Sequence, residues 1–409
     1  MKWTEGLDKL SIFLYLAISL FAVANIYSVD EGLGTKQFVF FCISLFVGLI
    51  IFVMRTKFFE NFASIIYIFG VLLLIGLFPF GTEILGQKNW YKIGGFTMQP
   101  VEFAKIGVAL MLANYVSGPD FNLKIRKSLL TTLAIIGIPA IVVLMIPDVG
   151  SLLVFTAFFI ALFREGLNGW LFGIGGILAA VFLLALAIDP LYLIIGIAVI
   201  YSLIVFANYY KIHWNVFSVA GILGSFLLLC GIAYGSPKIL EKMPKHQRER
   251  IEVLYKGEKA FRDTSGYNLL YSKTAIGSGG FFGKGYKEGS VTQGKFVPEQ
   301  ETDYIFCTVG EEWGFFGASL LVIFYAVFIG RIYYLSEKQK SAFNRVFGYS
   351  FASILLMHFA INLGMVMGLF PTVGIPLPYF SYGGSSFLAF SIMTFIFFKL
   401  NYTDRNSLV

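Results

Sequence analysis

Charged residues are scarce in this chain. Asp, Glu, Lys and Arg make up 13% of its 409 residues, hydrophobic residues make up 57%, and the mean hydropathy is +0.77. Water-soluble globular proteins do not reach such a composition. The low charge excludes a secreted scaffold, an enzyme with a single membrane anchor and a nucleic-acid-binding protein, although the net charge is +7.

Cysteine and histidine are equally rare. The three cysteines are scattered without paired spacing, and the three histidines are dispersed along the chain (Cys42, Cys230, Cys307; His213, His246, His358). The spacing therefore predicts neither a disulfide framework nor a His/Cys metal cluster.

Long apolar runs are what the chain has in abundance. At about 20 residues per crossing, runs bounded by Gly, Pro or charge predict about twelve transmembrane helices, the first of them retained as a span and not cleaved as a signal peptide. They lie at 10–28, 38–54, 62–79, 98–117, 128–147, 149–163, 169–188, 190–209, 215–236, 304–334, 346–370 and 380–399. The predicted fold is an all-α polytopic membrane protein.

Basic residues predict the orientation of this bundle, because Lys and Arg in short loops stay in the cytoplasm. With the N-terminus inside, cytoplasmic segments hold fifteen Lys and Arg, and the short outer loops hold three (Lys36, Lys88, Lys92). An even number of spans then returns the C-terminus to the cytoplasm. Residues 237–303 form a large extracytoplasmic loop, whose glycine clusters at 277–280 and 283–285 predict either a flexible linker or close approach of the backbone to a ligand.

Charged residues inside spans are costly in a membrane and therefore point to function. Glu102 and Lys105, at i and i+3, share one face of the fourth span, where they form either an ion pair that locks helices together or a contact with substrate. Asp148 separates the fifth and sixth spans at the same level, and Glu311 and Glu312 lie about two turns into the tenth.

Asp303 stands where the tenth span begins, after the acidic stretch 298–302. An Asp in the first turn of a helix caps free amides and complements the helix dipole. At a membrane surface, near cations, it is also suited to act as a base on an anionic lipid-linked substrate. Both interpretations remain open on these residues alone.

Residues 368–386 contain three prolines and four glycines and cannot form a continuous helix. Irregular backbone at membrane depth must be buried in protein or line a wet cavity. This segment, Gly368-Leu369-Phe370-Pro371-Thr372-Val373-Gly374-Ile375-Pro376-Leu377-Pro378-Tyr379-Phe380-Ser381-Tyr382-Gly383-Gly384-Ser385-Ser386, resembles the C-terminal signature of the SEDS family (shape, elongation, division and sporulation).

Three further stretches agree with that family in order. They are Trp90 with Gln99-Pro100-Val101-Glu102-Phe103-Ala104-Lys105; Pro147-Asp148-Val149-Gly150-Ser151; and Ala275-Ile276-Gly277-Ser278-Gly279-Gly280 leading to Thr302-Asp303-Tyr304-Ile305-Phe306 and Glu311-Glu312-Trp313-Gly314. Asn362-Leu363-Gly364-Met365-Val366 and Gly283-Lys284-Gly285 resemble the elongation members of the family more than the division members.

The resemblance implies a peptidoglycan glycosyltransferase that polymerises lipid II, the undecaprenyl-pyrophosphate-linked precursor, on the outer face of the bacterial cytoplasmic membrane. It places the essential base on Asp303 and substrate-binding groups on other motif residues (Glu102, Lys105, Asp148, Arg248, Arg250, Ser385). It implies a class B penicillin-binding transpeptidase, other membrane proteins of the elongation complex and membrane lipids as partners, and no nucleic acid. A divalent cation, Mg²⁺ or Mn²⁺, is compatible with this chemistry at residues left unassigned; no organic cofactor is expected.

The chain departs from the family in one respect. The family core has ten spans, and residues 169–209 add an extra helix pair within what is otherwise a single membrane domain over 1–409. An alternative function, a lipid II flippase or transporter, also explains many spans and charged residues at depth. A flippase should present its polar site at the bilayer midplane, whereas these motifs cluster at the outer ends of spans.

Overall fold

The computed structural model describes residues 6–84, 87–243 and 245–406. The helices of the first half are α1 Lys9–Val29, α2 Glu31–Val53, α3 Thr56–Ile75, α4 Leu77–Phe80, α5 Pro100–Val116, α6 Arg126–Met145, α7 Val149–Phe155, α8 Ala157–Arg164, α9 Trp170–Ala187 and α10 Pro190–Ala207. Those of the second half are α11 Val216–Lys242, α12 Lys245–Lys256, α13 Tyr267–Ser278, α14 Ser290–Gln293, α15 Ile305–Glu312, α16 Gly314–Glu337, α17 Ala342–Met367 and α18 Gly384–Asn406, with a 3₁₀ turn at Glu258–Phe261.

The predicted all-α polytopic fold is confirmed. Over the described residues, ten helices are long and apolar enough to cross a membrane. The other two predicted spans correspond to shorter helices: α5 has 17 residues, and α7 with α8 covers Val149–Arg164. Several long helices expose large apolar side chains, such as Phe46 on α2 and Phe69 on α3, as expected when lipid surrounds the protein.

A small antiparallel sheet precedes α5, which the apolar pattern did not predict. Its strands are β1 Thr82–Ile84, β2 Gln87–Ile93 and β3 Phe96–Met98, in the order β1-β2-β3. The tight pairing of β2 with β3 brings the chain directly into Gln99 and the N-terminus of α5. The sheet therefore carries Trp90 and leads directly into the second part of the same motif, Gln99–Lys105, at the start of α5.

The tenth predicted span is broken, which changes the position of Asp303. The helix α15 begins at Ile305 with Tyr304 as its N-cap residue, and Asp303 lies in the preceding turn and not in the first helical turn. A second break follows at Trp313, where Gly314 takes a φ of 65° at the start of α16. Hydropathy did not show the second break, because apolar residues continue on both sides of residues 311–314.

The chain divides into two compact units. The first comprises Met1–Leu167 with Tyr271–Val409, and the second comprises Asn168–Leu270. The first unit contains the large core, in which Leu110, Phe347 and Phe397 are fully buried. The second contains α9 to α12, and its own small core includes Val181, Leu193, Ile197 and Ala233. The predicted extra pair, 169–209, corresponds to α9 and α10 in the second unit.

The orientation remains a prediction that labelling can test. Glu288 and Lys340 are both exposed, and the excess of basic residues places them on opposite sides of the membrane. In intact cells, a Glu288→Cys variant should react with a membrane-impermeant thiol reagent, and a Lys340→Cys variant should react only after the cells are opened. Labelling of Lys340→Cys in intact cells would reverse the assigned orientation.

Candidate active site

The irregular segment between α17 and α18 lies at the centre of the candidate site. As its prolines predict, residues 371–383 are not helical, and Ile375, Leu377, Tyr379 and Phe380 are at most 2% exposed. Side chains supply some of the hydrogen bonds that helix geometry would otherwise provide: the Leu377 amide donates to Ser381 Oγ at 2.7 Å. The part of the segment from Ile375 to Ser381 is therefore largely buried in the first unit, as irregular backbone at membrane depth must be.

Asp303 lies against this segment. A Cβ added to Gly374 would be 3.3 Å from Asp303 Oδ2, and Gly374 itself has a φ of 73°, which favours glycine. The backbone carbonyl of Asp303 accepts a hydrogen bond of 2.8 Å from Asn362 Nδ2 on α17. The neighbouring Tyr304 hydroxyl lies 2.9 Å from Thr372 Oγ1. The Asp303 side chain is half-buried, so the carboxylate is held next to the segment without being sealed off from solvent.

Glu102 and Lys105 form the ion pair that their spacing predicts. Lys105 Nζ lies 2.8 Å from both carboxylate oxygens of Glu102. The Lys105 side chain is 0% exposed and the Glu102 side chain is 2% exposed. The third contact of the ammonium is His358 Nε2 on α17, at 2.7 Å. The ring of Phe390 on α18 lies 5.3 Å below Nζ. Three helices thus enclose the ammonium, and a direct contact between Lys105 and a substrate would require this cluster to open.

Asp148 is the N-cap of α7. Its Oδ1 accepts from the Ser151 amide at 2.9 Å, and its Oδ2 accepts from Ser151 Oγ at 2.8 Å and from Asn89 Nδ2 at 3.1 Å. This motif also touches the irregular segment, because a Cβ on Gly150 would lie 2.6 Å from the Val373 carbonyl oxygen. Asn89, on β2, is only 3% exposed and was not among the predicted site residues.

Ser385, the last predicted residue of the signature, lies at the start of α18. Its hydroxyl accepts a hydrogen bond of 3.3 Å from the Gln99 amide, the residue immediately before α5. Ser385 therefore joins the end of the irregular segment to the helix that carries Glu102 and Lys105.

The glycine-rich stretch packs against α15 and α16 and is not a linker. The amides of Lys284 and Gly285 donate to the carbonyls of Glu311 and Glu312 at 3.0 and 3.1 Å. A Cβ on Gly279 would approach the Gly310 carbonyl oxygen to 2.0 Å, so glycine is required by close backbone contact. Composition left open either a flexible linker or close approach of the backbone to a ligand. The structure shows close approach of the glycine backbone, and the neighbour is the protein's own backbone in α15.

Glu311 anchors the end of that stretch. Its Oε1 lies 2.5 Å from Lys284 Nζ, and its Oε2 accepts from the Thr292 amide and hydroxyl at 2.7 and 2.6 Å. The Val291 amide also donates to Oε1, at 2.9 Å, so both carboxylate oxygens are satisfied by groups of the preceding loop. Glu311 is therefore a structural anchor for this loop.

Arg248 and Arg250 lie on α12, in the second unit. Arg248 Nε is 3.8 Å from Glu252 Oε1, one turn along the same helix, and the Arg248 side chain is 35% exposed. Both arginines therefore belong to a helix of alternating charges, and their assignment to the substrate remains a prediction. For a metal ion, the described residues contain no group of three or more His, Cys, Asp or Glu side chains suitably placed to hold one.

Comparison with known proteins adds a family match. A family model described as a cell cycle protein, FTSW_RODA_SPOVE, matches residues 6–194 and 177–406. The two matched stretches overlap at 177–194, which lies within α9 and α10 and thus within the predicted extra pair.

Curated relatives and solved structures match over almost the whole chain. The peptidoglycan glycosyltransferase MrdB of Escherichia coli K12 is 29% identical over 386 residues, covering 93% of this chain and 90% of that protein. The peptidoglycan glycosyltransferase RodA of Treponema pallidum is 28% identical, covering 98% and 99%. The rod shape determining protein RodA of Thermus thermophilus has the same fold, with a TM-score of 0.63 at 22% identity, covering 97% of both chains. A chain from a peptidoglycan synthase complex, described as coordinating polymerization and crosslinking, has a TM-score of 0.70 at 23% identity, with 98% coverage of both.

Proposed function

This chain belongs to the FtsW/RodA/SpoVE family of cell cycle proteins, as its motifs predicted, and from that premise we propose that it is a peptidoglycan glycosyltransferase. It polymerises lipid II into glycan strands on the outer face of the bacterial cytoplasmic membrane during cell elongation. The relatives named peptidoglycan glycosyltransferase MrdB and RodA support this activity.

One structural observation carries the assignment of the site. Three consecutive residues of the irregular segment are involved: the Asp303 carboxylate lies beside Gly374, and the carbonyls of Ile375 and Pro376 are hydrogen-bonded by Asn362 and His358. His358 in turn contacts the buried Lys105 ammonium. Motifs that are far apart in the sequence are thereby assembled around a single stretch of backbone, as a site for one reaction requires.

Asp303 is the general base of this proposal. Its carboxylate takes the proton from a hydroxyl of the acceptor sugar while that oxygen bonds to the anomeric carbon of the donor. The bond from the anomeric carbon to the phosphate oxygen breaks, and its electron pair leaves with the lipid pyrophosphate. Attack from the opposite side inverts the anomeric carbon. A positioned base contributes about 10²–10⁴-fold to such a transfer.

The remaining predicted residues serve the leaving group and the architecture in this proposal. Arg248 and Arg250 bind the negatively charged pyrophosphate. The buried pair of Lys105 and Glu102 contributes to the electrostatic field at the site. Asp148 and Ser385 hold the irregular segment against α7 and α5. A divalent cation would accompany the substrate, because Mg²⁺ commonly binds through phosphate oxygens and keeps few protein ligands.

The proposed partners follow from the same activity. They are a class B penicillin-binding transpeptidase, which crosslinks the product, and other membrane proteins of the elongation complex. The similar chain from a complex that joins polymerization and crosslinking supports a crosslinking partner.

Polymerisation by the isolated protein tests the proposal. Purified protein in detergent or nanodiscs, given lipid II alone with no membrane gradient, should convert it into glycan strands visible on a polyacrylamide gel. Reactions with and without a chelator, and with and without a transpeptidase, measure the need for each. A protein that moves lipid II across a vesicle membrane but forms no polymer would instead be the flippase.

A further inference from the structure

His358 on α17 connects two parts of the site that the proposed reaction does not itself explain. Its Nε2 lies 2.7 Å from Lys105 Nζ, and its Nδ1 lies 3.0 Å from the carbonyl oxygen of Pro376. The side chain is 2% exposed. A buried histidine in a membrane helix is a costly choice unless both of its nitrogens are satisfied, and here both are.

The two contacts fix the protonation state of the ring. An ammonium group has donors only, so Nε2 must accept from Lys105 and carries no proton. A carbonyl oxygen accepts only, so Nδ1 carries the proton and donates it to Pro376. His358 is therefore neutral, with its tautomer assigned from the hydrogen bonds. Phe390 packs edge-on against the ring at 4.9 Å between centroids, so the aromatic ring keeps the imidazole in this orientation.

Asn362 extends the same arrangement by one turn. Residues at i and i+4 lie on one face of a helix, and Asn362 Nδ2 donates to both the Ile375 and the Asp303 carbonyl oxygens, at 2.7 and 2.8 Å. His358 and Asn362, on one face of α17, therefore contact the adjacent carbonyls of Pro376 and Ile375. At one end of this face His358 also contacts the Lys105 ammonium, and at the other Asn362 contacts the Asp303 carbonyl.

We propose that His358 is a positioning residue, which holds the segment Gly374–Pro376 at a fixed distance from the Glu102–Lys105 pair and thereby sets the position of Asp303. The inference rests on the proposed glycosyltransferase activity, with Asp303 as the base. His358 does not touch the reacting atoms. Its effect passes through the Pro376 carbonyl to Gly374, which lies against the Asp303 carboxylate.

Position matters greatly in a transfer between two bound substrates. A displacement of about 1 Å by a change remote from the chemistry can cost about 10²-fold in rate. Without the imidazole, the Pro376 carbonyl loses its donor and Lys105 loses an acceptor, so the segment is free to move relative to α5. The loss should appear in turnover more than in substrate affinity, because His358 acts on the position of Asp303 and touches neither substrate in this proposal.

Two substitutions and one control test the proposal. His358→Leu removes both hydrogen bonds while keeping an apolar side chain, and His358→Gln retains one donor and one acceptor. Ser353→Ala, also on α17, removes a partly buried hydrogen bond to Tyr333 that does not involve the segment. For each variant we would measure the melting temperature, the folded fraction, and kcat and KM for lipid II per folded molecule.

The expected result is a kcat reduced about 100-fold in His358→Leu, with KM within about threefold of the original. His358→Gln should recover at least about a tenth of the original kcat, and Ser353→Ala should behave as the unaltered protein. A His358→Leu variant with unchanged kcat per folded molecule would overturn the proposal. So would equal losses in the Leu and Gln variants that merely follow their melting temperatures.

Hydrogen–deuterium exchange separates this inference from the proposed function. The hydrogen-bonded amides of the segment should lose protection in His358→Leu and regain it in His358→Gln, with residues 384–406 unaffected; they are those of Leu377, Phe380, Ser381 and Tyr382. Unchanged exchange in the Leu variant would refute the positioning role even if the protein polymerises lipid II. If the unaltered protein makes no polymer, the proposed function fails, and the exchange pattern still decides whether His358 holds the segment.

Discussion

Replacement of Asp303 by Asn is expected to lower polymerisation of lipid II by at least about 100-fold, because an amide cannot take the proton from the acceptor hydroxyl. The substitution preserves size, and the backbone carbonyl that accepts from Asn362 Nδ2 is unchanged. Expression and melting temperature should therefore stay near those of the unaltered protein. The measurement is glycan formation by purified protein from lipid II, normalised to the folded fraction.

Glu301→Gln is the matched control, since it makes the same carboxylate-to-amide change two residues earlier. The Glu301 backbone carbonyl, which accepts from the Tyr382 amide at 2.8 Å, is unaffected by this change. The control should retain most of its activity. An active Asp303→Asn variant would return Asp303 to a structural role, and Glu299 or Glu301 would become the next candidates for the base.

The sequence predicted those features of the fold that depend on local pattern. Apolar runs of membrane length correspond to helices, and the i, i+3 spacing of Glu102 and Lys105 correctly predicts their ion pair. The three prolines of the segment 371–378 correctly exclude a helix there. In each case the information lies within a few residues of the chain, so no knowledge of the tertiary fold is needed.

The partners of those residues could not be predicted, because they come from distant parts of the chain. His358 contacts Lys105 across 253 positions, and Asn89 contacts Asp148 across 59. The sequence offered one signal for the first contact: a histidine in the middle of an apolar span needs a polar partner. The wide spacing of the histidines along the chain argued against a metal cluster. It did not argue against a single buried contact between His358 and a residue of another span.

The breaks around α15 were missed for a different reason. Hydropathy does not distinguish one long helix from two helices joined at Trp313, because apolar residues both precede and follow the short polar stretch at Glu311 and Glu312. The signal was Gly314, whose positive φ ends the first helix. It lies beside the glycine-rich stretch, and the Phe315 amide donates to the Gly280 carbonyl at 2.9 Å. The helix break at Trp313 and the glycine-rich stretch therefore pack against each other. Composition alone does not indicate that these two features are connected.

Lys105→Ala is expected to lower both the yield of folded protein and its activity. Removing one partner of a buried ion pair leaves the other charge unpaired, at a cost of about 3–5 kcal/mol. Here the substitution strands the Glu102 carboxylate and also deprives His358 Nε2 of its donor. The melting temperature and the polymerisation rate per folded molecule are the two measurements. Lys399→Ala is a suitable control, because Lys399 lies on the membrane-length helix α18 and its ammonium packs 5.2 Å from the centroid of the Phe52 ring, away from the Glu102–Lys105 pair.

A double variant separates the structural part of this effect from the chemical part. In Glu102→Gln with Lys105→Met, both charges are removed and the volumes are nearly kept, and such replacements of a buried ion pair are often neutral or stabilising. The double variant should therefore regain most of the melting temperature lost by Lys105→Ala. Its polymerisation rate should stay low, because the proposed reaction uses the electrostatic field of this buried pair and the hydrogen bond from Lys105 to His358. Recovery of both stability and turnover would assign Glu102 and Lys105 to the architecture of the bundle alone, and full activity of Lys105→Ala at normal abundance would leave neither role standing.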